Sequence, residues 1–158
     1  MIVKNLALNV LKAGLIVGTL DILAAFIQVY SKTQKSPIIV LNFIASGVFG
    51  KEAFAGGDKM AVFGLLFHYF IAFSFTLLFF VLYPRLKRMI SNKLTLGIVY
   101  GLFIWFVMQF LIVPLSQATS MKLSAEGAIT AILILIICIG IPLSWMAQLF
   151  TAHSHKNK

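Results

Sequence analysis

Two ionisable side chains lie deep within apolar runs of this sequence, Asp21 and His68. Lipid makes such groups costly, so they are the first candidates for chemistry. A carboxyl group facing an imidazole can share a proton with it. In a dry site the uncharged pair is favoured; with some water, an aspartate–imidazolium pair becomes tolerable. Either pair titrates as a unit and can pass a proton or take part in transport. The same two groups can also do no more than fix which helices are neighbours.

Their depths match. Asp21 lies nine residues before Tyr30 and His68 eight after Met60, which puts both about 12–14 Å from the same membrane face at 1.5 Å per residue. Trp105, eight residues before Val113, falls at a similar level. Helical spacing gathers Gly14, Gly18, Asp21, Ala25 and Gln28 into one stripe, and Ala61, Gly64, His68, Ala72 and Thr76 into a second. Gly97, Gly101, Trp105 and Met108 make a third, with Gln109 beside it. Small residues beside a polar one mark a helix–helix interface. The sequence therefore predicts an intramembrane polar site of Asp21, His68, Trp105 and Gln109, packed through Gly14, Gly18, Gly64, Gly97 and Gly101.

Four apolar runs must position these groups: about 11–30, 60–83, 94–113 and 125–150. Each approaches the roughly 20 residues that cross a bilayer core as helix. Asp21 weakens the first run by about 3 kcal/mol, and nine Leu, Ile, Val and Phe residues offset it at roughly 0.3–0.6 kcal/mol each. Pro84 and Pro114 are expected to stop the second and third helices, and Pro142 to kink the fourth. Residues 37–50 are apolar but too short to span, which predicts an interfacial or re-entrant helix. The expected fold is all-α: one integral membrane domain over 1–158, a four-helix bundle with this short helix between the first two spans.

Composition agrees. The chain is 61% hydrophobic and 11% charged, against about 45–50% and 25% in soluble domains. Its net charge is +9, but the cations cluster between apolar runs. This points to anionic lipid headgroups and the bilayer as partners, and away from nucleic acid. Lys4, Lys12, Arg85, Lys87, Arg88, Lys93, Lys156 and Lys158 lie on one side of the bundle and five lysines on the other. That bias places both termini in the cytoplasm. The lone Cys138 excludes an internal disulfide.

The remaining polar residues carry weaker signals. Asn42 either caps a break in the short segment or lines a cavity. Glu52 and Asp58 read as solvated loop charges, His153-x-His155 as a solvated tail, and Ser116, Thr119 and Ser120 as helix-end and loop residues. No nucleophile–base motif, phosphate loop, zinc signature or haem-ligand pattern appears. No enzyme activity, cofactor or metal is expected.

The order of these features resembles a family of small, uncharacterised bacterial inner-membrane proteins. The residues that carry the resemblance are Gly18-Thr19-Leu20-Asp21-Ile22, Ile44-Ala45-Ser46-Gly47, Gly56-Gly57 and His68-Tyr69-Phe70-Ile71-Ala72-Phe73. Gly97, Tyr100-Gly101 and Pro114-Leu115-Ser116 complete the set. The resemblance implies a bacterial cytoplasmic membrane and four helices, and supplies no activity. Two functions follow from the residues. One is a small transporter, channel or transport accessory built around Asp21 and His68. The other is a scaffold or partner-binding subunit in which the pair only organises the bundle. Glycine-rich faces would be left for a second copy or a membrane partner.

Overall fold

The computed structural model describes residues 6–118 and 124–156, with side chains described through Phe150. Lys4, Thr119, Ser120, Lys122 and Lys158, and the His153 and His155 side chains, lie outside what is described. Among the described residues the chain is helical throughout, with no strand. Helix α1 is Leu6–Thr33, α2 Ile38–Phe49 and α3 Gly57–Met89. Helix α4 is Lys93–Leu115, and α5 is Ala125–Phe150 with its backbone continuing to Lys156. Four of them, α1, α3, α4 and α5, are long and apolar enough to cross a membrane.

Local sequence sets the ends. Asn92 caps α4, its Oδ1 accepting from Leu94 N–H at 2.8 Å. Ser124 caps α5, its Oγ accepting from Gly127 N–H at 3.0 Å. Each side chain satisfies a helix-end donor that would otherwise be orphaned. Gly50 and Gly57, with φ of 58° and 57°, end α2 and begin α3 in the left-handed region where a Cβ is penalised.

The prolines behave differently from expectation. Pro84 does not stop its helix, for α3 runs through it to Met89. Pro84 removes one donor, and the five residues after it, Arg85, Leu86, Lys87, Arg88 and Met89, are all strong helix formers. Pro114 lies one residue before the end of α4. Pro142 sits inside α5. Both follow a widened π-helical turn, Met108–Ile112 in α4 and Leu135–Gly140 in α5. In each, the residue before the proline donates five residues back: Val113 N–H to Met108 O, and Ile141 N–H to Ile136 O. The wide turn relieves the clash between a proline ring and the carbonyl four residues earlier.

Glycines bring the helices together. A Cβ on Gly14 would strike the Phe73 ring, and one on Gly18 would lie 3.1 Å from the Tyr69 ring, so the α1 glycines face α3. Gly64 faces α2, where a Cβ would overlap the Leu41 carbonyl. A Cβ on Gly97 would come within 2.7 Å of Ile141 Cα, and one on Gly140 would overlap the Gly97 carbonyl. Gly101 meets the Ile136 backbone in the same way. Gly14, Gly18, Gly64, Gly97 and Gly101 thus each meet another helix of the same chain.

The dense core lies at one end of the bundle. Ala13 and Val17 of α1, Phe79, Phe80 and Tyr83 of α3, Leu96 and Tyr100 of α4, and Leu143 and Ala147 of α5 are buried together. The Phe79 and Tyr100 rings meet edge to face at 4.6 Å. Tyr100 Oη donates to the Phe75 carbonyl at 2.6 Å. This end also carries the basic α3–α4 turn. The opposite half is less filled.

Candidate functional site

In that opposite half is a cavity of about 800 Å³. Helix α1 contributes Asp21, Ile22 and Ala25; α2 contributes Val40, Phe43, Ile44, Gly47 and Val48. Helix α3 gives the largest wall, with Phe67, His68, Phe70, Ala72 and Phe75. Ile104, Met108 and Ile112 of α4 and Leu135 and Ile139 of α5 close the back, and Ser116 and Ala118 lie at the end of α4. Among the described residues only Asp21, His68 and Ser116 bring polar side chains to it.

Asp21 and His68 reach the same cavity, and their side chains are electrostatic neighbours. No hydrogen bond or ion pair joins them. His68 Nε2 lies 2.8 Å from the Gly18 carbonyl, one turn before Asp21. A carbonyl only accepts, so Nε2 carries the hydrogen and donates it. His68 is 8% exposed, held between α3 and α1. Its stripe is buried at every position: Ala61, Gly64, His68, Ala72 and Thr76. The Asp21 carboxylate makes no hydrogen bond or ion pair among the described residues, and it opens onto the cavity.

The other two expected members stand apart. Trp105 does not line the cavity; its ring meets Phe110 edge-on at 5.9 Å. Gln109 also lies off the wall. Helical phase accounts for this. Successive helical residues are turned by about 100°, so Ile104 faces the cavity and Trp105 points past it. The wide turn at Met108–Ile112 then shifts the face again, and Met108 and Ile112 line the wall while Gln109 does not.

Helix α2 is the part of the site that the sequence described least. It packs mainly on α3. Gly47 carbonyl accepts from Gln117 N–H at 2.9 Å, which ties α2 to the end of α4. Phe49, Phe63 and Phe67 form a ring cluster at the seam, the first pair 5.3 Å apart. Asn42 neither caps a break nor lines the cavity. Its Oδ1 is buried with no hydrogen-bond partner among the described residues. Ser116 ends α4, its Oγ donating to Val113 O at 2.8 Å and accepting from Ala118 N–H at 3.2 Å. Thr19 and Tyr69 hydroxyls add a second α1–α3 contact at 2.8 Å.

Chemically, the arrangement is an apolar cavity with one acid on its wall. Among the described residues no group of three or more metal-ligating side chains comes together. No protein-family model, no curated protein and no solved structure matches the chain.

Proposed function

We propose that this chain is a multi-pass membrane protein that holds an apolar or amphiphilic small molecule between its helices, as a small transporter or transport accessory. The observation that carries this is the cavity of about 800 Å³ that reaches Asp21. Ligand pockets run to about 300–1,000 Å³ and are mostly apolar with a few placed polar groups. One half of the bundle is closed by aromatic packing and the other is hollow, an asymmetry suited to loading from one side. In this reading α2 is the short interfacial or re-entrant element. At 12 residues it is about 18 Å long, too short to span. It covers the cavity instead. In this reading the lysine and arginine bias puts both termini on the cytoplasmic side, which turns the hollow half outward. The reading gives the chain no catalytic role.

The test is native mass spectrometry of the protein purified in lipid nanodiscs. The expected result is a bound small-molecule or lipid mass on the wild type that is lost in Ala25→Phe, which fills the cavity beside Asp21. A wild type that carries no adduct under any lipid composition would remove the proposal. The scaffold reading has one observation in its favour: His68 spends its Nε2 on holding α3 to α1. It expects no adduct and an unchanged bundle in Ala25→Phe.

A further inference from the structure

We infer that the molecule suited to this cavity is a lipophilic organic cation, seated with its positive charge against Asp21. The inference rests on the proposed ligand site and names the class of ligand.

Begin with the polar groups on the wall. His68 Nε2 is engaged by the Gly18 carbonyl, and Ser116 Oγ both donates and accepts within its own turn. Asp21 and the second ring nitrogen of His68 have unused capacity, and with Nε2 donating, Nδ1 of a neutral ring is an acceptor like the carboxylate. An ionised carboxylate only accepts, and in an apolar site it needs a counter-charge or donors. Among the described residues no Lys or Arg lines the cavity, so an occupant that brings a positive charge would complete it. A lipid acyl chain would leave the carboxylate unsatisfied, and an anion would be repelled by it.

The rest of the wall suits a cation with an apolar body. Phe43, Phe67, Phe70 and Phe75 present aromatic rings, whose faces attract cations within about 6 Å. The rim residues Phe70, Leu66 and Val48 are 72%, 59% and 51% exposed. All three are apolar, so a ligand passing this rim must tolerate lipid. A hydrated inorganic cation does not.

The test uses two ions of the same shape and opposite charge, tetraphenylphosphonium and tetraphenylborate, titrated onto the purified full-length protein in nanodiscs. The wild type is expected to bind the phosphonium at least tenfold more tightly. Asp21→Asn should lose at least tenfold of that affinity and none of the borate affinity. A hydrophobic carbodiimide supplies a second readout that needs no variant: its modification of Asp21, mapped by mass spectrometry, should be blocked by the phosphonium and not by the borate. This readout decides the matter if Asp21→Asn fails to fold. Equal binding of the two ions, or no protection of Asp21, would overturn the inference. It would also fall if imidazolium at His68 supplied the counter-charge, since the phosphonium would then gain nothing from Asp21. If Ala25→Phe still abolishes binding of both ions, the cavity remains a ligand site of another specificity. If Ala25→Phe changes neither, the ligand-site reading itself is lost.

Discussion

His68 Nε2 donates to the Gly18 carbonyl across 2.8 Å, so the imidazole holds the α1 backbone one turn from the acid it was expected to meet. The two polar groups thus divide the work. His68 positions the helix, and Asp21 faces the open space. Substituting His68 by Leu removes the interhelical bond and keeps much of the bulk. Hydrogen bonds between membrane helices contribute about 0.6 kcal/mol on average and up to about 1.7 kcal/mol. A loss in that range is expected, read as a lowered unfolding midpoint. Asp21→Asn should cost no stability, because the carboxylate has no protein donor to lose. A larger loss in Asp21→Asn than in His68→Leu would reverse this assignment.

Tyr100→Phe tests the sealed end in the same way. Its hydroxyl donates to the Phe75 carbonyl in a buried setting. Removing it should cost about 1 kcal/mol, with no effect on cavity binding. Ligand titration beside thermal unfolding separates the two effects.

Gly64→Ala forces a methyl group into the Leu41 carbonyl, so α2 must lift from α3. Overpacking of this kind costs about 1–3 kcal/mol, and here it should also open the cavity. Gly57→Ala meets nothing within 4 Å, but its φ of 57° is unfavourable for a side chain. About 1 kcal/mol is expected there, with the ligand site intact. Crosslinking between cysteines placed on α2 and α3 should fall only in the first variant.

Gly97→Ala and Gly140→Ala each wedge the same α4–α5 crossing. Once one methyl has parted the helices, the second meets less resistance. The double variant should therefore be less destabilised than the two losses added together, as measured by a double-mutant cycle. Full additivity would mean that the two glycines do not face one another.

Lys32 Nζ and Glu126 Oε1 pair at 2.7 Å on the surface, joining the end of α1 to the start of α5. Both side chains are exposed, so the pair is weak and screened by salt. Exchanging the two charges should leave the unfolding midpoint unchanged within error. A shift that vanishes at 1 M salt would show that the pair matters more than its exposure implies.

Much of the fold was legible. Long apolar runs define the four long helices, because no other structure satisfies so many backbone groups within one segment. The burial of the His68 stripe follows from helical spacing. The common level of Asp21 and His68 follows from counting residues to the helix ends. What failed has physical causes. Spacing from Gly97 and Gly101 gives Trp105 the face that those glycines turn to α5, not the cavity wall. The wide turn beginning at Met108 leaves no simple mark beyond Pro114, two residues past its end. Gly140 meets Gly97, a contact that depends on how α4 and α5 cross and has no mark in the sequence. Asn92 and Ser124 carry the residue type and place of helix caps, and both act as caps. The partner of His68 was hidden for a different reason: a backbone carbonyl has no letter in a sequence.

The two π-helical turns have a consequence for how this protein tolerates change in length. Each holds one residue more than an α-helical turn, and each ends two positions before a proline. Deleting a single residue within 108–112 or 135–140 would restore ordinary helical winding locally without breaking the helix. Because the wide turn already absorbs that residue, the segments beyond would keep nearly their present facing. A deletion elsewhere in either helix would instead swing everything beyond it by about 100°, detaching Gln117 from the Gly47 carbonyl in α4 or parting Gly140 from Gly97 in α5. The two wide turns are thus the places in these helices where a lost residue leaves the hollow its shape.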